Sequence, residues 1–252
     1  MVIRNQSASG RDYTKTCRDL RVLFLGRQGC DFSGRCVSVL EEMGFELTVV
    51  LSNSRRQDLF THVSEWRGEY LLSFRNLYVV PKNVLDKVSL AAVNFHPGPP
   101  EYPGSGCLNF ALYDFATTYG VTAHYMVETV DQGEIIDCRR FPIEPDDTVD
   151  SLLAKTHEAL FGLFVDFVRE VLPNGSSALD EKASRNSNQT WSGERRKMST
   201  IDALQQVTAD ISPEELSRII RATHTEEFPV LLDLHGKKFA LVSNPKLTSN
   251  RC

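Results

Sequence analysis

Short apolar runs alternate with helical periods through the first half of the chain, and this alternation restricts the fold more than any other feature. Arg21-Val-Leu-Phe-Leu-Gly26 is an unbroken apolar run closed by glycine and reads as a buried strand. Ser33 can cap a helix whose Val37, Leu40 and Met43 recur at helical spacing, with Gly44 as its stop. Phe45 to Leu51 is a second strand rich in β-branched residues. Leu71–Phe74 and Leu90–Phe95 are further strands on either side of Pro81-Lys82-Asn83. The alternation predicts an α/β, Rossmann-like fold, a mostly parallel sheet with helices on both faces.

Beyond residue 105 the spacing predicts a helix over Gly106–Thr118, then strands over Val121–Val127 and Glu134–Ile143. Asp147 is placed to cap a long helix whose apolar stripe runs from Val149 to Val171, and Pro173-Asn174-Gly175 ends it. The polar stretch Ser176–Ser192 reads as a linker or surface loop. Ser212-Pro213-Glu214-Glu215 carries a capping box, and Phe228–Leu234 with Lys238–Val242 reads as a closing hairpin around His235-Gly236. The expected organisation is a polar extension (1–20), a main domain (21–175) and a small C-terminal helix and hairpin region (176–252).

The net charge of −5 argues against a nucleic-acid partner, which needs clustered positive charge. Residues 176–252 hold 11 Lys/Arg against 10 Asp/Glu, so the tail is balanced rather than a basic arm. No apolar run approaches the roughly 18 residues of a membrane span, and the first twenty residues lack a leader's apolar core. A cytoplasmic protein with no membrane partner is the expectation. Cys17, Cys30, Cys36, Cys107, Cys138 and Cys252 then read as reduced thiols, and none has zinc-ligand spacing, so no metal is expected. Gly26-Arg-Gln-Gly29 lacks the spacing of a dinucleotide loop and reads as a plain strand-to-helix turn.

Chemistry concentrates in Asn94-Phe95-His96-Pro97. Asn94 and His96 lie two residues apart in a strand and share a face. Pro97 stops the pairing, so both stand where open α/β sheets hold ligands. His124 lies on the next strand, and Asp131-Gln132-Gly133 is an acidic turn directly after it. An Asn and a His bonded into a turn would be the plainer reading of the first pair alone.

Asn94-x-His96-Pro97, Tyr102-x-Gly104, Gly120-Val-Thr-x-His124 and Val130-Asp131-x-Gly133-Glu-Ile-Ile resemble, in that order, the formyltransferases that use N10-formyltetrahydrofolate. The resemblance runs over roughly Arg21–Val171. It implies that Asn94, His96 and Asp131 are catalytic: an amine attacks the formyl carbon, an oxyanion forms, and tetrahydrofolate departs. Asn94 would donate to the oxyanion, His96 would carry the proton, and Asp131 would orient His96 or relay protons.

By the same resemblance the formyl donor lies in an apolar cleft and is read largely by backbone groups, here of Leu72, Ser73, Phe74, Leu77, Tyr78, Val79 and Val84, with Met126 to Asp131 opposite; core packing is the competing reading for several of these. Gly98-Pro99-Pro100 after His96 is similar to the sugar branch of the family. The implied acceptor is therefore the amine of a nucleotide-linked 4-amino-4,6-dideoxy sugar, GDP-perosamine foremost, in O-antigen assembly. Gly98, Tyr102, His124, Trp191, Arg195 and Arg196 are the candidate substrate contacts, although Trp191 could equally anchor the linker. A homodimer through the C-terminal hairpin is also implied. Another acceptor amine, a formyltetrahydrofolate hydrolase and a non-catalytic folate-binding protein stay open.

Overall fold

The computed structural model describes residues 17–53 and 60–242; most of the expected extension 1–20 lies outside them. The elements that build the main sheet are β1 (Arg21–Arg27), β2 (Glu46–Ser52), β3 (Gly68–Phe74), β4 (Val88–His96), β5 (Thr118–Tyr125) and β6 (Ile135–Pro142). Their order in space is β2-β1-β3-β4-β5-β6. The β1–β2, β1–β3 and β3–β4 pairs are parallel, and β4–β5 is antiparallel. β1 and β3 are buried along nearly their whole length, as parallel strands covered on both faces must be.

Two faces of this sheet carry different chemistry. Leu23, Leu25 and Leu71 pack with Val63 of α2 (Phe60–Glu65), Tyr78, Val80 and Val84 of α3 (Lys82–Leu85). Alternate residues point the other way. There Phe24, Phe74 and Phe95 all meet Phe164 of α5 (Val149–Asp166) at ring separations of 5.0–5.8 Å, largely edge to face. Gly44 ends α1 (Asp31–Met43) at φ +76°, donating its N–H to Glu41 O. Among the described residues no helix is long and apolar enough to cross a membrane.

The chain divides into two compact units. The first comprises residues 1–101, 120–140 and 156–192; the second comprises 102–119, 141–155 and 193–252. In the second, α4 (Cys107–Tyr113) is tied to α8 (Pro213–Thr223) by Asn109 donating to Ala222 O at 2.8 Å and Tyr113 Oη donating to Glu215 at 2.6 Å. That unit also holds α7 (Met198–Leu204) and a small sheet of β7 (Gln206–Thr208), β8 (Leu231–Leu234) and β9 (Lys237–Ala240). The expected hairpin is β8–β9, with His235 and Gly236 both at positive φ in its turn. Ser212 caps α8 as its sequence predicts, its Oγ accepting from Glu215 N–H at 3.1 Å.

Five local expectations are corrected. The helix after Gly106 stops at Tyr113, because Phe115 adopts φ +55° and Ala116 N–H reaches back to Ala111 O, a Schellman close without glycine. Ser33 does not cap α1, which begins two residues earlier; its Oγ accepts instead from Arg27 N–H at 3.1 Å. Thr148 rather than Asp147 precedes α5, exchanging bonds with Ser151, while Asp147 accepts from Ser151 Oγ and Lys155. The long helix closes in a π-helical turn, Phe167–Val171, and then a 3₁₀ turn. The supposed linker begins as helix α6 (Gly175–Arg185), held by the buried pair Leu179 and Ala183 and by Asn186 donating to Ile136 O.

Candidate active site

The end of β4 delivers Asn94 and His96 to one face of the sheet, as their spacing requires. The antiparallel register sets His124 directly opposite Asn94 and Thr122 opposite His96. Ser73 pairs with Asn94 across β3–β4, so it too lies on this face. Thr122 Oγ1 donates to Gly98 O at 2.8 Å and fixes the loop that follows His96.

The turn after β5 brings in the carboxylate. Asp131 adopts φ +54°, and its Oδ1 lies 3.6 Å from His96 Nδ1 and 3.5 Å from His124 Nε2. Asn94 Nδ2 lies 3.1 Å from His124 Nε2, and His124 Nδ1 lies 2.9 Å from Tyr125 O. All three ionisable groups are withdrawn from solvent: His96 is 3%, His124 2% and Asp131 4% exposed. The turn folds back so tightly that a Cβ on Gly133 would stand 1.7 Å from Tyr125 O. Only glycine fits there.

Trp191 joins this cluster. Its Nε1–H donates to Gly133 O at 2.7 Å, and its ring meets His124 at 4.9 Å and His96 at 5.6 Å, nearly perpendicular in both cases. Thus Asn94, His96, His124, Asp131 and Trp191 converge. A buried imidazole pair sharing one carboxylate, with an amide alongside, can move a proton and donate to a developing negative charge.

Of the residues expected around the formyl donor, Tyr78, Val84 and Met126 belong to one apolar cluster, on the same sheet face as Asn94. Leu72 and Phe74 do not join them. Their side chains point to the α5 face, so they reach this side through backbone alone. Leu77 is half-buried and Val79 exposed. Tyr102, Arg195 and Arg196 belong to the second compact unit, where Tyr102 packs with Tyr119 and Arg196 pairs with Asp114 at 2.7 Å over the ring of Phe110. Arg195 lies exposed along Gly104.

Sequence reasoning passed over Thr122; its signal was its position two residues before His124 on the same strand face. It also passed over a cavity of about 400 Å³ at the β1–α1 turn, lined by Arg27, Cys30, Arg75 and His157 among others. Arg75 Nη1 donates to Cys30 Sγ at 3.2 Å. Burial works against ionisation of the Cys30 thiol, but hydrogen bonds from Ser33 and the charge of Arg75 outweigh it and lower the pKa. His157 is pushed down to about 4 by burial and by the charges of Arg75 and Arg27.

The formyl transferase family matches residues 26–168. Methionyl-tRNA formyltransferase of Macrococcus caseolyticus is 33% identical over 109 residues, 43% of this chain and 34% of the relative. That of Listeria monocytogenes (serotype 4a) is 31% identical over 104 residues, 41% of this chain and 33% of the relative. The chain therefore spans about a third of the length of these curated relatives. In fold it is similar to a sugar N-formyltransferase from Shewanella, at TM-score 0.67 and 19% identity over 88% of this chain and 96% of that one. It is also similar to the N-formyltransferase of Helicobacter canadensis solved with folinic acid and dTDP-3-aminofucose, at TM-score 0.65 and 15% identity over 87% and 86%.

Proposed function

Since the chain belongs to the formyl transferase family, we propose that it is an enzyme moving a formyl group from N10-formyltetrahydrofolate to the amine of a nucleotide-linked 4-amino-4,6-dideoxy sugar. GDP-perosamine is the first candidate acceptor and O-antigen assembly the setting. The observation that carries this reading is the meeting of Asn94 and His96, from one strand, with Asp131, from a turn, at one end of the sheet. The sugar branch is supported by Gly98-Pro99-Pro100 after His96 and by likeness in fold to the Shewanella enzyme over nearly its whole length. The net charge of −5 weighs against a tRNA acceptor.

The apolar face made by Tyr78, Val84 and Met126 beside Asn94 suits a flat heterocycle, and the backbone at the end of β3 offers it polar groups. The folate, when bound there, supplies the formyl carbon. One Asn94 Nδ2 proton is directed to His124 Nε2, and the second is left to donate to the formyl oxygen as charge develops on it. His96 accepts the proton of the attacking amine and hands it to the leaving nitrogen of tetrahydrofolate, while Asp131, at ion-pair distance, balances the charge that the ring carries in between. The fold proposed here works as a homodimer through the β8–β9 hairpin, around which Phe228 and Phe239 are 60% and 54% exposed.

The test is turnover of N10-formyltetrahydrofolate with a panel of amines: GDP-perosamine, dTDP-linked amino sugars and a ribonucleotide amine. Tetrahydrofolate release with gain of one formyl group on GDP-perosamine is the expected result. Turnover confined to other amines would replace the acceptor, and formate release without any amine would replace the reaction by hydrolysis.

A further inference from the structure

We infer that Trp191 is a positioning residue: it cross-links the loop after His96 to the turn bearing Asp131 and walls in both imidazoles. Its consequence for catalysis rests on the formyl-transfer reading, whereas its geometry does not.

Two adjacent residues make the cross-link. Trp191 Nε1–H donates to Gly133 O at 2.7 Å, within the turn that carries Asp131. Ser192 N–H donates to Pro100 O at 3.2 Å, within the loop that follows His96. Both loops need outside support. Asp131 sits at φ +54°, a conformation disfavoured for a side chain with a Cβ, and Pro97, Pro99 and Pro100 contribute no backbone donors of their own. The indole then packs nearly at right angles to His124 (86°) and His96 (77°), which limits rotation of either ring.

The same contacts decide against Trp191 as a simple sugar-stacking residue. Its only hydrogen-bond donor is already committed to Gly133, and its ring contacts are to imidazoles. A residue that merely filled space would need neither the N–H nor its direction. His96 is thus faced by Asp131 from the turn, by Thr122 and His124 of β5, and by Trp191.

The experiment compares the full-length wild type with Trp191→Phe, which keeps a ring and loses the N–H, and Trp191→Leu, which loses both. Two readouts are taken: the titration of the His96 ring by NMR, and kcat separated from KM. In the Leu variant the His96 midpoint should differ from that of the wild type, because the ring's surroundings change. Its kcat should fall about tenfold or more, because a small displacement of the reacting groups is costly, with KM for the acceptor little changed. The Phe variant should fall between wild type and Leu in both readouts, and it carries the decision if the Leu variant fails to fold. An unchanged His96 titration with wild-type kcat would overturn the inference, as would a loss confined to acceptor KM. If the wild type transfers no formyl group to any amine, the functional reading fails separately. The His96 titration then decides the positioning role alone: a moved midpoint upholds it, an unchanged one overturns it.

Discussion

Asn94 Nδ2 and His124 Nε2 face each other 3.1 Å apart across the β4–β5 ladder, and this contact fixes the identity of both groups. His124 Nδ1 lies 2.9 Å from the Tyr125 carbonyl oxygen, which can only accept, so Nδ1 carries the hydrogen. A ring with its single hydrogen on Nδ1 accepts at Nε2, and toward such a ring the Asn94 amide turns its NH2. Both assignments come from the network of partners.

On the formyl-transfer reading, His124 would orient the residue proposed to donate to the reacting oxygen. Asn94→Ala should lower kcat by about 10²–10³-fold, the usual cost of losing one such donor. His124→Ala should cost less, about tenfold, because the donor survives and only its aim is lost. Steady-state kinetics of the two variants check the order; equal losses would give His124 a direct part in the chemistry.

Gly133→Ala should destabilise the fold by about 3 kcal/mol or more, since the new Cβ would stand 1.7 Å from Tyr125 O and the backbone must move. Gly34→Ala, in α1 with nothing within 4 Å of its Cβ, should be neutral or stabilising by about 0.5–1 kcal/mol. Thermal unfolding of the pair separates the effect of that close approach from a general effect of filling a glycine.

Much of this site was legible in the sequence because it lies on strands. Period-2 spacing alone puts Asn94 and His96 on one face, and Pro97 marks where the strand ends. The meeting with His124 and Asp131 depends on the β4–β5 register, which no local pattern supplies. The faces of Leu72 and Phe74 were not legible for a related reason: a strand buried on both sides shows no alternation of polarity. Helix ends were lost where the usual signals were missing, as at Phe115, which closes α4 in a conformation normally given to glycine. α6 was lost because only Leu179 and Ala183 mark its buried side.

Cys30 should be the first of these thiols to alkylate with iodoacetamide at neutral pH, ahead of Cys36 and Cys138. Its pKa is lowered despite burial, through Ser33 and Arg75, whereas burial raises the other two. Peptide mapping after limited reaction reads the order. Arg75→Gln should slow Cys30, since it removes the donor 3.2 Å from Sγ.

His157 should make the fold acid-sensitive. Its folded pKa of about 4 lies below the ordinary value of 6.5, so the unfolded chain binds more protons through that interval. The contribution to stability is complete above about 6.5 and declines as pH falls toward 4. Urea unfolding across this window should show stability rising with pH, and His157→Gln should flatten the slope.

Formyl transfer through His96 is tested most directly by a single-turnover measurement of tetrahydrofolate release, with N10-formyltetrahydrofolate and GDP-perosamine, in wild type and in His96→Asn. The wild type should release tetrahydrofolate and yield the formylated sugar nucleotide. The variant should bind the folate equally well and lose most of the rate, about 10²–10⁴-fold for removal of a positioned proton carrier. A His96→Asn protein that turns over at the wild-type rate would contradict the assignment of His96.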